Sequence, residues 1–139
     1  MRKIYFAGSI RGGRGDRERY AQIIALLRPY GIVLTEHIGD PSLTPTGEDG
    51  LTDREIHDRD LDWLTASDAV VAEVTVPSLG VGYEIAVALA HGIPVLALFR
   101  PEEGRRLSAM IAGAPGVQVA EYGDNAGLNP ILHKFFDTL

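Results

Sequence analysis

Three side chains stand out as able to do chemistry: Glu84, Asp60 and Tyr5. Glu84 ends the run Pro77-Ser78-Leu79-Gly80-Val81-Gly82-Tyr83-Glu84, between a β-branched stretch at 69–74 and a helix-forming stretch at 85–90. That order reads as strand, glycine-containing turn and helix, with the carboxylate in the first helical turn. A glutamate there suits the helix dipole without further purpose, but Gly80 and Gly82 clear backbone beside it, as a ligand pocket requires. Asp60 lies in Ile56-His57-Asp58-Arg59-Asp60-Leu61-Asp62-Trp63-Leu64. At about 100° per residue it projects into the face made by Ile56, Leu61, Trp63 and Leu64, while Asp58, Arg59 and Asp62 point away. A carboxylate on such a face is costly unless paired or protonated, so Asp60 is either a candidate acid or a capping or salt-bridging group. Tyr5, in the carboxyl half of the first strand, can hydrogen-bond and orient Glu84, or simply pack. One nucleophilic carboxylate and one able to hand over a proton are what cleavage of a glycosidic bond requires, at a separation of about 5–5.5 Å in a retaining enzyme.

A second set of residues suits an anion. Gly8-Ser9-Ile10-Arg11-Gly12-Gly13 supplies a hydroxyl, a guanidinium and flexible backbone N–H groups, the makeup of a phosphate cradle. Ser78, on the opposing loop, can reach the same group. No GK[ST] follows, so this is not a Walker loop, and GxGxxG is absent. His37, at the end of the second strand, is a possible substrate contact, whereas His57 reads as structural. With no cysteine and no HxxxH-type pair, a metal site is not expected. Ser78 and Ser108 lack the GxSxG setting of a hydrolase nucleophile.

These residues need a sheet edge to gather them. Strands are predicted at 3–7, 32–35, 69–74, 93–99 and 117–120, and helices at 16–30, 53–66, 85–90, 107–112 and 128–138. A long Gly-, Pro- and Thr-rich loop fills 38–52. Strand and helix alternate throughout, which predicts one Rossmann-like, doubly wound α/β domain over 1–139, with about five parallel strands and right-handed crossovers. Loops following the strands then converge at the carboxyl edge, where ligands of open α/β sheets bind.

Composition narrows the partners. At 139 residues, 45% apolar and 23% charged, the chain has the profile of an ordinary globular domain. No apolar run approaches the roughly 18 residues of a membrane helix. Met1-Arg2-Lys3 runs straight into a strand, which favours a cytoplasmic setting. A net charge of −6 argues against a general nucleic-acid surface. The local arginines, Arg11 and Arg14 in one loop and Arg100, Arg105 and Arg106 in another, suit a small anion better than a polymer.

Taken together, Tyr5-Phe6-Ala7-Gly8-Ser9-Ile10-Arg11-Gly12-Gly13, Leu34-Thr35-Glu36-His37, Ala72-Glu73-Val74-Thr75 with Pro77 to Glu84, and Leu98-Phe99-Arg100-Pro101 with Leu107-Ser108-Ala109-Met110-Ile111 resemble the 2'-deoxynucleoside 5'-phosphate N-hydrolases. This is the Rcl family, within the nucleoside 2-deoxyribosyltransferase superfamily. The resemblance runs in order from Ile4 to about Tyr122; the loop at 39–53 and the tail beyond Tyr122 depart from the family pattern. It implies Glu84 as the nucleophile attacking C1', Asp60 as the group protonating the departing base, and Tyr5 as the tyrosine positioning the nucleophile. It further implies phosphate contacts from Ser9, Arg11, Ser78 and the backbone of the Gly8 to Gly13 loop, and a homodimer in which Ser108 reaches the neighbouring subunit's phosphate. Ile10, His37, Gly80 and Met110 belong to the same expected binding set. The products would be a free base and 2-deoxyribose 5-phosphate, with no metal or organic cofactor. The other readings are a deoxyribosyltransferase, which passes the sugar to a second base, and a non-catalytic nucleotide sensor.

Overall fold

The computed structural model describes residues 1–10, 14–35 and 50–139. Five strands, β1 (Lys3–Gly8), β2 (Ile32–Val33), β3 (Ala69–Glu73), β4 (Val95–Phe99) and β5 (Val117–Glu121), form one sheet in the order β2-β1-β3-β4-β5, every pair parallel. The helices are α1 (Arg14–Leu27), α2 (Asp53–Thr65), α3 (Leu79–Ala90), α4 (Ala109–Ala112) and α5 (Leu128–Asp137). The strand order reverses between β1 and β3, so the crevice outside their carboxyl ends is the expected ligand position of a doubly wound sheet.

Strand alternation sorts the core into two layers. Ile4 and Phe6 of β1, with Ala69 and Val71 of β3, pack against Tyr20, Ile23, Ile24 and Leu27 of α1 and Leu128, Leu132, Phe135 and Phe136 of α5. Tyr5 and Ala7, with Val70 and Ala72, face the other way, onto Leu64 of α2 and Val81, Ile85 and Ala88 of α3. Each buried aliphatic or aromatic side chain contributes about 1.5–3 kcal/mol. Both layers therefore anchor the strand ends from which the site loops spring.

The boundaries differ from the sequence expectation at three informative places. α3 begins at Leu79 rather than near Glu84, because the Ser78 hydroxyl caps it, accepting from Val81 N at 3.2 Å. Gly80 and Gly82 are thus helical, and Glu84 lies in the second turn. β2 stops at Val33 because the buried Thr35 side chain takes over from backbone pairing, its Oγ1 accepting from Phe6 N at 3.0 Å and donating to Phe6 O. The first helix ends at Leu27, one residue before a 3-10 turn holding Pro29. Gly31 then runs so close to β1 that a Cβ would lie 2.3 Å from Arg2 O; space, not a left-handed backbone, requires that glycine. Gly92, with φ of 69°, does need the left-handed conformation where α3 turns into β4.

Candidate active site

Because odd residues of β1 face α2 and α3, Tyr5 is fully buried on that side, and its hydroxyl donates to Glu84 Oε2. Helix α3 presents Glu84 to this hydroxyl, while Val81, Ile85 and Ala88 hold its inner face to the sheet. The carboxylate is half-buried, and burial pushes its pKa up to about 7; the negative charge of Asp60 adds to the rise, and the Tyr5 hydrogen bond opposes it. The Tyr5 phenol is itself pushed well above its usual range, by burial first and by the Glu84 charge next. At neutral pH the site therefore holds a neutral tyrosine against a carboxyl group poised between its two forms.

Asp60 is on the side of α2 that faces the site, as its spacing from Ile56, Trp63 and Leu64 predicts, and its charge is felt by both Tyr5 and Glu84. It is not sunk in an apolar face, however. Its side chain is 26% exposed, and Oδ1 accepts from Arg59 Nε at 3.0 Å and Nη2 at 2.8 Å. Arg59, expected to point away, instead folds back so that its guanidinium lies 4.8 Å from the centre of the Trp63 ring. Adjacent residues on a helix do not face each other; only the length and planarity of an arginine side chain permit this pairing. Helix α2 is started by a capping box, with Thr52 Oγ1 accepting from Glu55 N and Glu55 Oε1 from Thr52 N, each at 3.1 Å. His57 ties α2 to α3: Nε2 lies 3.0 Å from the Tyr83 hydroxyl and Nδ1 2.9 Å from Asp58.

The expected phosphate residues are partly visible. Gly8 ends β1, Ser9 is buried just beyond it, and Ile10 is half-buried. Arg11, Gly12, Gly13 and His37 lie outside the described residues. Ser78 caps α3, which leaves the N–H groups of Leu79 and Gly80 without acceptors inside the helix. A Cβ on Gly80 would approach only Ser78 Oγ, at 3.8 Å, and one on Gly82 would meet nothing within 4 Å, so both glycines border open space. Ser78, Gly82, Ser108 and Met110 line one largely apolar groove of about 720 Å³ between α3 and the 106–114 segment. Ser108 caps the short α4, and Met110 is 80% exposed. Among the described residues no three His, Cys, Asp or Glu side chains form a metal-ligand set, and no helix is long and apolar enough to cross a membrane.

One cluster escaped the sequence reading. Glu73, at the end of β3, is buried; it accepts from Thr75 N at 2.7 Å, from Thr75 Oγ1 at 3.1 Å and from the Tyr122 hydroxyl, and lies 3.7 Å from Arg100 Nε. The signal available was a carboxylate closing an otherwise apolar strand.

A Rossmann-like α/β sheet with a carboxylate–tyrosine pair beside its switch point defines the class. The chain belongs to the nucleoside 2-deoxyribosyltransferase family, whose profile matches residues 4–125. The resemblance read from its motifs therefore holds. Among its relatives, the 5-hydroxymethyl-dUMP N-hydrolase of Mus musculus is 53% identical over 138 residues, covering 96% of this chain and 79% of the relative. The protein of the same name from Danio rerio is 54% identical over 139 residues, covering 98% and 96%. A solved structure, the CMP N-glycosidase BcmB of Clostridium botulinum, superposes with a TM-score of 0.69 at 17% identity, over 96% of this chain and 98% of that one. That likeness establishes the shared fold.

Proposed function

We propose that this protein hydrolyses the N-glycosidic bond of 2'-deoxynucleoside 5'-monophosphates, releasing the free base and 2-deoxyribose 5-phosphate. The observation that carries the reading is the Tyr5–Glu84 pair, with Glu84 raised to about 7 at the carboxyl edge of the sheet. Relatives above 50% identity named as N-hydrolases of a deoxynucleoside monophosphate support it. In this scheme ionised Glu84 attacks C1' while the C1'–N bond breaks and the base departs with the bonding pair, taking a proton from Asp60. Water then attacks C1' of the glycosyl ester, returning the Glu84 carboxylate and giving its proton back to Asp60. The transition state resembles an oxocarbenium ion, which an electron-withdrawing 2'-hydroxyl destabilises. A ribonucleotide is therefore expected to bind without turning over. Phosphate contacts at Ser9, Arg11 and Ser78 supply remote binding energy that holds C1' against Glu84.

The same reading makes the protein a cytoplasmic homodimer, its second copy laid across the apolar groove, where Leu79 is 97% and Met110 80% exposed. Ser108 then reaches the neighbour's phosphate. The relatives' names make 5-hydroxymethyl-dUMP the first substrate to try, with dGMP as a purine alternative. The test incubates the protein separately with these two nucleotides, with GMP, with deoxyguanosine, and with deoxyguanosine plus adenine, and follows the bases by chromatography. Free base from a deoxynucleotide, abolished in Glu84→Ala, is the expected result. Deoxyadenosine in the last tube would identify a transferase instead, the activity that the family's name describes. Binding of nucleotide with no product in any tube would leave a sensor.

A further inference from the structure

The face of the sheet opposite Tyr5 carries its own polar cluster at the same carboxyl edge. Residues 69, 71 and 73 of β3 share a face, so Glu73 points toward α1 and α5 rather than toward Glu84. Arg100, the residue after β4, is the cation of this cluster. Its guanidinium lies 3.7 Å from Glu73 through Nε, 3.2 Å from Asp16 Oδ1 through Nη2 and 2.5 Å from Glu102 Oε1 through Nη1. Its side chain is only 13% exposed, and its backbone N–H donates to Thr75 Oγ1 at 2.9 Å. Arg105 joins from the same loop, with Nε 3.0 Å from Glu102 and Nη1 donating to Thr75 O at 3.2 Å.

Each of these contacts leads to a different wall of the proposed pocket. Glu73 is the register partner of Gly8, which directly precedes Ser9. Asp16 is in the first turn of α1. Thr75 is three residues before Ser78, and the loop from Arg100 runs to Ser108. One planar guanidinium, placed just beyond β4, thus ties the end of β3, itself paired with the end of β1, to the start of α1, a geometry that a point-charged lysine cannot copy.

We propose that Arg100 is a positioning residue for the phosphate pocket, fixing the spacing between the Ser9 and Ser78 segments through Glu73, Thr75 and Asp16. This rests on the reading that the site takes a 5'-phosphate. A pocket whose walls are displaced by a fraction of an ångström loses affinity for the phosphate it was shaped to grip, while the Tyr5–Glu84 pair, on the other face, keeps its geometry.

The experiment measures kcat, KM and the inhibition constant of 2-deoxyribose 5-phosphate for wild type, Arg100→Gln and Asp16→Ala. In wild type, preference for the deoxynucleotide over its deoxynucleoside, with inhibition by 2-deoxyribose 5-phosphate, establishes the phosphate reading. Its absence would overturn that reading before any variant is made. In the variants the expected result is a joint rise of about tenfold in KM and in the inhibition constant, with kcat held within about threefold. A merely structural role predicts the opposite split, a lower melting temperature and a lower kcat at unchanged KM, and that outcome refutes the inference. Arg100→Gln leaves a buried carboxylate uncompensated and can fail to fold. Asp16→Ala removes only the tie to α1, so an unchanged KM and inhibition constant in folded Asp16→Ala is also a refutation.

Discussion

Glu84 is under two opposed influences: burial and the neighbouring Asp60 favour its neutral form, and the Tyr5 hydroxyl favours its ionised form. A nucleophilic carboxylate is active only when ionised, so kcat/KM should rise with pH through a limb near 7. The second ionisation of a substrate phosphate, near pH 6, falls close to the same window. Tyr5→Phe separates the two. Removing the donor withdraws the one influence that lowers the Glu84 pKa, so the limb should move to higher pH, whereas the phosphate's own ionisation cannot move. The rate at neutral pH should fall by about tenfold to a hundredfold, the effect of a hydrogen bond to a charged group. A limb that stays in place in Tyr5→Phe would show that Glu84 is not the titrating group.

At the level of elements, α3 does two jobs with one residue. Ser78 caps the helix and borders the groove, so under the proposed function its loss mixes stability with binding. Ser78→Ala should cost about 1 kcal/mol of stability through the lost cap and also weaken binding of the phosphorylated substrate. Ser78→Asp keeps a good cap at a helix N-terminus but sets a negative charge against the phosphate. It should melt close to wild type while KM rises more than in the alanine variant. Thermal melts and steady-state kinetics on the two proteins separate the roles; equal KM values would remove Ser78 from the pocket. This dual use also explains a boundary that sequence reading misplaced. Gly80 and Gly82 look like a turn, and only the Ser78 cap with the inward spacing of Val81, Ile85 and Ala88 turns them into helix. The strand–helix alternation and the facing of Asp60 were legible because they follow from periodicity within one segment. The Arg59–Asp60 pairing was not, since it depends on a long side chain folding back. Nor was the Glu73–Arg100–Tyr122 cluster, whose members lie at the ends of three strands and meet only once parity and register are fixed.

For the whole molecule, the proposed function predicts that each site is built from two chains. Ser78 and Ser108 border the same groove within one chain, and the groove is apolar enough to be covered by a second copy. If Ser108 serves its neighbour, every site combines Glu84 of one subunit with Ser108 of the other. Ser108→Ala should then raise KM, and Glu84→Gln should be inactive while still supplying an intact Ser108. Mixing the two variants under conditions that let subunits exchange creates heterodimers in which one site has both native residues and the other has neither. A population of sites with wild-type KM should therefore appear in the mixture, in a proportion set by the mixing ratio. If Ser108 serves its own subunit, each active site in the mixture still carries the alanine, and the KM stays that of Ser108→Ala. Met110→Asp supplies the control: a charge on this exposed apolar residue should hold the chains apart, which sedimentation would register as a monomer, and should abolish rescue by mixing. Rescue that persists between monomers would rule out a shared site.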